Sequence, residues 1–124
     1  MFRAIELAFT GYPVTNIAAA REFYEGVLRL APASVFEGEH GSWIEYEIGP
    51  GVLAISTMGS ANWKPSSSGP CAALEVEDFD AAIAALRERR VRFSVEPFAT
   101  PVCRMAVICD PDGNSLTIHK RNAG

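Results

Sequence analysis

The sequence has few of the residues on which several classes of protein depend. Its three cysteines, Cys71, Cys103 and Cys109, follow no regular spacing, so neither a disulfide framework nor a paired zinc knuckle is indicated. Positive charge is also scarce: 11 Lys and Arg against 15 Asp and Glu give a net charge of −4. Nucleic-acid binding needs a basic surface for the phosphate backbone, and this balance argues against it.

Long apolar runs are missing as well. A membrane helix needs about 20 apolar residues, and every run here is far shorter. Arg3 and Glu6 interrupt what would be the apolar core of a secretory signal. The sequence therefore predicts a protein with neither nucleic-acid nor membrane partners, in the reducing cytoplasm.

What is present fits one globular domain that contains an internal repeat. The chain has 124 residues, 48% of them hydrophobic, which is enough for a core without metal or disulfides. Ala4–Thr10 has the pattern of a strand, Asn16 is a candidate N-cap, and an apolar stripe at helical spacing follows over residues 17–28. Cys71–Val76, Asp78 and a second stripe repeat this order. The two halves are thus predicted to share a strand, a cap and a helix.

Each predicted helix is followed by three segments with the pattern of strands. They are Ala33–Phe36, Trp43–Ile48 and Val52–Thr57 in the first half, and Val91–Val95, Val102–Cys109 and Ser115–Lys120 in the second. Residues 58–70 are rich in Gly, Ser and Pro and are predicted to link the halves. The expected fold is α+β: two βαβββ modules, residues 3–57 and 71–120, forming a curved mixed sheet with a concave cup.

Two local features carry more specific expectations. Arg90 stands where the glycine that ends a helix is expected. In the strand Trp43–Ile48, the apolar residues alternate with Trp43, Glu45 and Glu47, which predicts that these three face the cup while the others face the helix. A register error of one residue would exchange the two sets.

Three segments resemble the vicinal oxygen chelate superfamily, which includes glyoxalases, extradiol dioxygenases and bleomycin-resistance proteins. They are residues 23–28 (FYEGVL), 76–82 (VEDFDAA) and the hairpin sequence 110–114 (DPDGN). The resemblance implies a paired βαβββ fold. In metalloenzymes of the superfamily, a His on each first strand and a carboxylate on each last strand hold a divalent ion in the cup.

Carried over to this sequence, the four ligand positions fall on Phe9, Ala54, Cys71 and Thr117. Phe9 and Ala54 have no donor atom, Thr117 offers a neutral hydroxyl, and one thiolate does not make a site. The expectation is a member of the superfamily with no metal and no cofactor.

The faces of the predicted strands give a candidate ligand site with aromatic walls and a few polar groups, as small-molecule sites have. The predicted ligand-binding residues are Phe9, Trp43, Glu45, Glu47, Ala54, Ser56, Cys71, Glu75, Thr117 and His119. Met58 and Trp63 of the linker would close one end. The best candidates for catalytic residues are His119, Glu45 and Glu75, because acid–base chemistry needs groups that titrate.

Each candidate also has a structural interpretation. Phe9 and Trp43 would serve the core, Cys71 and Cys103 would be small buried apolar groups, and His40 would be a turn residue.

The favoured function is a metal-free small-molecule-binding protein, as a homodimer, which the resemblance implies. Bleomycin-resistance proteins bind a cationic drug without transforming it. In this sequence, Glu45, Glu47 and Glu75 of the predicted cup would bind a cationic group. The alternative is a lyase, isomerase or dioxygenase of the same superfamily with displaced metal ligands or with metal-free acid–base catalysis. A third interpretation is an interaction module whose cup is filled by its own side chains. Whether the protein is an enzyme stays open at this stage.

Overall fold

The computed structural model describes residues 1–59 and 62–123, and these divide into two compact units. Unit 1 runs from Met1 to Pro65 and unit 2 from Ser66 onward. Ser60 and Ala61 of the predicted linker lie outside the described residues. None of the described helices has the length and apolar character needed to cross a membrane.

Unit 1 is a four-stranded mixed sheet covered by one helical segment. Its strands are β1 (Thr10–Pro13), β2 (Pro32–Gly38), β3 (Gly41–Ile48) and β4 (Gly51–Ser56). They lie in the order β1-β4-β3-β2, with β1 parallel to β4 and the other pairs antiparallel. The helix α1 (Ile17–Arg21) continues as a π-helical turn over Glu22–Val27. This is the predicted order of elements in the first module.

Asn16 begins α1 as predicted. Its backbone is extended, and its side chain accepts a hydrogen bond from Ala19 N at 3.0 Å, which pairs one of the N–H groups that a helix start leaves unsatisfied. The apolar stripe continues through the π-helical turn, where Phe23 and Tyr24 are buried.

The first predicted strand is wrong in position. The structure places β1 at Thr10–Pro13, so Gly11 and Pro13 lie in a strand beyond the predicted end at Thr10, and residues 4–9 lie outside any strand. The reason is pairing: β1 hydrogen-bonds to β4 only from Thr10 opposite Leu53 to Pro13 opposite Ser56. An alternating pattern alone does not make a strand, because each strand needs a partner for its N–H and C=O groups.

The core of unit 1 is bordered by a partly buried polar network. Tyr46 is fully buried, and its hydroxyl donates to Glu25 Oε2 at 2.9 Å. Arg21 Nε donates to the same oxygen at 2.7 Å. The Arg21 guanidinium holds the pKa of Glu25 below its usual value, with a further contribution from the Tyr46 hydroxyl. Burial, with the neighbouring Glu25, raises the pKa of Tyr46. The network fixes the helical segment on the sheet through groups that satisfy one another.

Unit 2 repeats the plan. Its strands are β5 (Ala72–Glu75), β6 (Phe93–Ala99), β7 (Cys103–Cys109) and β8 (Ser115–Arg121), in the order β5-β8-β7-β6, and its helix is α2 (Phe79–Glu88). The predicted N-cap Asp78 accepts from Ala81 N at 3.0 Å. The predicted strand Val91–Val95 begins too early, since β6 starts at Phe93.

Helix α2 ends on a residue in the left-handed conformation. Arg90 has φ 57°, which is the conformation that favours glycine at this place. Val91 N donates to Leu86 O and Arg90 N to Arg87 O, the bond pair of a Schellman motif. The position therefore has the geometry that the sequence analysis expected of a glycine, and an arginine occupies it.

The hairpin between β7 and β8 is organised by two buried polar side chains. Asp110 Oδ1 accepts from the backbone N–H groups of Asp112 and Asn114, each at 2.9 Å. Asn114 donates to Asp110 Oδ2 at 2.9 Å and accepts from Ser66 N at 3.0 Å. Gly113 has φ 87°, so glycine suits the turn. The motif thus shapes the hairpin and also fixes the start of unit 2.

Candidate functional site

Strand β3 gives unit 1 one face toward its core and one open face. Ile44 and Tyr46 are fully buried, whereas Trp43 and Glu45 are half-buried and Glu47 is exposed. The predicted alternation of this strand is therefore confirmed, and Trp43, Glu45 and Glu47 share the face opposite the core. We call this face of the unit 1 sheet the open face.

Three aromatic rings lie together on the open face. The ring of Phe9 stands edge-on to Trp43, with centroids 5.1 Å apart and an interplanar angle of 90°. The indoles of Trp43 and Trp63 have centroids 6.4 Å apart and are tilted by 31°. We call Phe9, Trp43 and Trp63 the aromatic cluster. Trp43 Nε1 donates to Glu45 Oε2 at 2.9 Å, which places a carboxylate at the edge of the cluster.

Two of the predicted ligand-binding residues lie beneath the accessible surface of unit 1. Ala54 and Ser56 are both fully buried, and β4 places them opposite Glu45 and Trp43 respectively. Ser56 Oγ donates to Ser42 O at 2.9 Å. Within this face, the accessible groups include the aromatic cluster, the two glutamates of β3, and the exposed Phe36 of β2, which pairs opposite Trp43.

Unit 2 brings together Glu75 and His119, two of the predicted catalytic residues. They are opposite each other in the β5–β8 pairing, and His119 Nδ1 lies 2.5 Å from Glu75 Oε1. Arg121 N donates to Glu75 Oε2 at 2.8 Å. This backbone hydrogen bond, together with that from His119, lowers the pKa of Glu75. A carboxylate can only accept, so Nδ1 of His119 is the donor, and in the neutral tautomer of the ring the lone pair is on Nε2.

Cys71 and Thr117 are also neighbours in unit 2. Cys71 Sγ and Thr117 Oγ1 share a hydrogen bond of 3.4 Å. Cys71 is exposed, so the prediction that it is a buried apolar group is wrong, whereas the same prediction for Cys103 is confirmed. Cys71 precedes β5 and therefore escapes the packing that buries Cys103 in β7.

His40 lies in the turn between β2 and β3, as predicted.

The residues at the four positions implied for a metal do not fit a divalent ion. In unit 1, Phe9 packs its ring on Trp43 and Ala54 is a buried methyl group. In unit 2, Cys71 and Thr117 give one sulfur and one neutral hydroxyl. Catalytic ions of this kind need at least three imidazole, carboxylate or thiolate ligands. Over residues 1–59 and 62–123, no group of three or more His, Cys, Asp or Glu is placed to hold a metal.

A separate open cleft of about 620 Å³ lies in unit 2, beside the N-terminus of α2. It is lined by Glu77, Asp78, Phe79, Asp80, Arg104 and Lys120. Arg104 lies 2.7 Å from Asp80 and stacks over the Phe79 ring. Its guanidinium is thus held by residues of the cleft itself, so this cleft is a weaker candidate than the open face.

The place of Trp63 in the aromatic cluster is what the sequence reasoning missed. The sequence analysis treated this residue as a closure for one end of the cup. Its position depends on a packing contact between the chain after β4 and β1, and no periodic pattern reports such a contact. The one available signal was a single large aromatic residue in a segment of Gly, Ser and Pro.

Comparison with known proteins assigns a family. The model of the Glyoxalase/Bleomycin resistance protein/Dioxygenase superfamily matches residues 6–118. No curated protein matches the chain.

Several solved structures share the fold. An antibiotic-binding protein, TnmS3, from Streptomyces sp. CB03234 is 27% identical and has a TM-score of 0.77, over 98% of this chain and 100% of that one. A glyoxalase/bleomycin resistance protein from the same organism is 28% identical with a TM-score of 0.69, over 91% of this chain and 98% of that one. The structure of SMU.1112c, at 20% identity and a TM-score of 0.78, covers 94% of this chain and 99% of that one and shows the fold alone.

Proposed function

This chain belongs to the Glyoxalase/Bleomycin resistance protein/Dioxygenase superfamily, and on that premise we propose that it binds a small molecule without the help of a metal ion. The observation that carries the proposal is the open face of unit 1, where partly exposed aromatic rings lie beside a carboxylate. Apolar walls with a few polar groups are typical of ligand sites. The similarity to an antibiotic-binding protein supports the same class of function.

The proposed ligand contacts in unit 1 are Phe9, Trp43, Glu45 and Glu47. Glu45 and Glu47 give the face a negative charge, which favours a ligand that carries a cationic group. In unit 2 the predicted contacts Cys71, Glu75, Thr117 and His119 form hydrogen-bonded pairs, and we propose them as the ligand contacts that this unit offers.

Native mass spectrometry of the purified protein tests the proposal directly. We expect a small molecule to be retained by the folded protein, or to bind when cationic aromatic compounds are added, with no metal in the spectrum. The Glu45→Gln variant should bind more weakly. Glu37→Gln is a matched control, because Glu37 pairs opposite Ser42 and so belongs to the other face of the same sheet. One stoichiometric metal ion per chain, lost in the Cys71→Ala variant, would contradict the proposal.

We also propose that the protein is a homodimer in the cytoplasm. The segment before β1 exposes Phe2, Ile5 and Leu7, at 91%, 83% and 87% of their surface, and apolar groups that are clustered and exposed mark interaction surfaces. All three cysteines are free, which suits a reducing compartment. Sedimentation equilibrium should give twice the mass of the chain. The double variant Ile5→Ser, Leu7→Ser should shift it toward the monomer, and a monomeric wild type would contradict this part of the proposal.

The hydrogen bond between His119 and Glu75 favours one second candidate, metal-free acid–base catalysis. A carboxylate that fixes Nδ1 as the donor leaves Nε2 as a base with a fixed orientation. If the bound compound is turned over, His119→Gln should abolish turnover, while His40→Gln in the β2–β3 turn should not. Turnover that survives His119→Gln would rule out His119 as the base, whereas the absence of any turnover by the wild type would leave binding as the function.

A further inference from the structure

Each four-stranded sheet has two edges, and a strand at an edge has a hydrogen-bonded neighbour on one side only. Over the residues that the structure describes, the edge strands are β1 and β2 in unit 1 and β5 and β6 in unit 2. The outward N–H and C=O groups of an edge strand can pair with a strand of another chain. Proteins therefore protect their edges with short strands, charges, prolines or bulges.

Three of these four edges carry such protection. β1 and β5 have only four residues each. β6 has seven residues, but Pro97 in its interior has no N–H group to donate. Next to Pro97 is the charged and exposed side chain of Glu96, which lies 2.6 Å from Arg87, and the register of β6 against β7 shifts twice.

The fourth edge, β2, is long and has little protection. All seven of its residues, Pro32–Gly38, are exposed. Its proline is the first residue, where no inner ladder bond is lost, and its one register shift lies at the same end, between Pro32 and Ser34. Its only charge is Glu37, the residue before the last. The middle of the strand is therefore open to pairing.

β2 also exposes an apolar side chain on each of its faces. Val35 lies opposite the fully buried Ile44, hence on the core face, yet it is 46% exposed. Phe36 lies opposite Trp43 on the open face and is 53% exposed. Neighbouring strands lie about 5 Å apart, so one more strand beside β2 would cover both side chains at once.

We propose that β2 is the strand through which two copies of this chain join, each pairing with the other in the antiparallel direction. The two four-stranded sheets of unit 1 then form one continuous sheet. This inference rests on the proposed homodimer and names its contact. A second copy suits this edge because a two-fold axis places a strand antiparallel to its own copy, and because residues 32–36 carry no charge that would repel the same residues of that copy.

The length of β2 sets the register of the pair. Val35 is the midpoint of Pro32–Gly38, so the register that uses the whole strand places Val35 opposite Val35 of the second copy. Glu37 then lies opposite Ala33 of the second copy, and the two glutamates are kept apart. Like charges directly opposite each other would weaken the pair, and this register avoids them.

Sedimentation equilibrium with two lysine variants tests the interface. Val35→Lys places two ammonium groups opposite each other at the two-fold axis, and we expect it to weaken the dimer at least about tenfold. Val95→Lys is the matched control, because Val95 is 42% exposed and lies in β6, the corresponding edge strand of unit 2. It should leave the dimer unchanged, and both variants should keep the circular dichroism spectrum of the wild type. Equal dimerisation of the two variants would overturn the inference.

Cysteine cross-linking tests the register. Opposite residues in antiparallel strands have Cα atoms about 4.5–5.5 Å apart, which a disulfide can bridge. In a Cys71→Ser background, chosen because Cys71 is exposed, Val35→Cys should give a disulfide-linked dimer on oxidation. Glu37→Cys should not, since four residues along the strand separate its two copies by about 13 Å. A cross-link as strong in Glu37→Cys as in Val35→Cys would contradict the register.

The outcomes separate this inference from the proposal on which it rests. If the wild type is a dimer that Val35→Lys does not weaken, pairing through β2 is wrong and the proposed homodimer stands. If the wild type is a monomer at every concentration, both are wrong.

Discussion

The Arg90→Gly substitution should make unit 2 more stable, although it removes a side chain. Arg90 has φ 57°, and the left-handed conformation costs an L residue about 1–2 kcal/mol. Glycine is free of that cost but gains about 0.5–1 kcal/mol of extra freedom in the unfolded chain. The lost charge at the end of α2 subtracts a few tenths of a kcal/mol more, and Arg87 remains in the last turn. The net expectation is a gain of roughly 0.5 kcal/mol, and 1 kcal/mol at most.

Urea unfolding followed by far-ultraviolet circular dichroism measures this difference. A gain of that size corresponds to a rise of about 2–4 °C in Tm. Arg89→Gly is the matched control: Arg89 has φ −89° and ψ 7°, so there is no strain to relieve, and the variant should lose about 0.5–1 kcal/mol. Both variants remove one arginine from the same helix end, so the change in charge is the same in both. If Arg90→Gly destabilises the protein as much as Arg89→Gly does, the reasoning is refuted.

Two further predictions concern the buried polar groups of the two units. Glu25→Gln should destabilise unit 1 by about 1–2 kcal/mol at pH 7, since it weakens charged hydrogen bonds. Arg21 lowers the pKa of Glu25 in the folded state, so the contribution is present above the unfolded pKa. The gap between variant and wild type should therefore shrink as pH falls through the folded pKa, and a gap independent of pH would contradict this. Asn114→Ala should cost about 2–3 kcal/mol, since it removes the acceptor of Ser66 N and one donor to the buried Asp110 carboxylate, and hydrogen exchange at Ser66 should accelerate. Asn122→Ala, at an exposed residue whose side chain donates to one backbone carbonyl at 3.2 Å, should change stability by less than about 0.5 kcal/mol, and an equal loss in both variants would refute the assignment.

Local signals in the sequence predicted much of the fold. Asn16 and Asp78 cap their helices as expected, because a cap depends on residues only three positions apart. The alternation in β3 identified the buried and open faces, and the position of Arg90 was recognised as a helix end. These features are decided within one turn or one strand.

Features that depend on distant partners were harder to predict. The segment at residues 4–9 has the alternation of a strand, but β4 pairs with the chain only from Thr10 onward. The proximity of Glu75 and His119 was suggested by their shared face, yet their hydrogen bond required the register between β5 and β8. The contact of Trp63 with Gly11 had no signal in the local pattern, because it brings the segment after β4 against β1, about fifty residues earlier in the chain.

The aromatic cluster has one practical consequence. Both tryptophans, Trp43 and Trp63, and all three tyrosines lie before residue 66, so unit 2 contains neither residue type. Intrinsic fluorescence of the intact protein therefore reports on unit 1 alone, without any label. Thermal unfolding can be followed by tryptophan emission and, in a second experiment, by far-ultraviolet circular dichroism of the backbone. Coincident midpoints would mean that the two halves of the duplicated chain unfold as one cooperative unit.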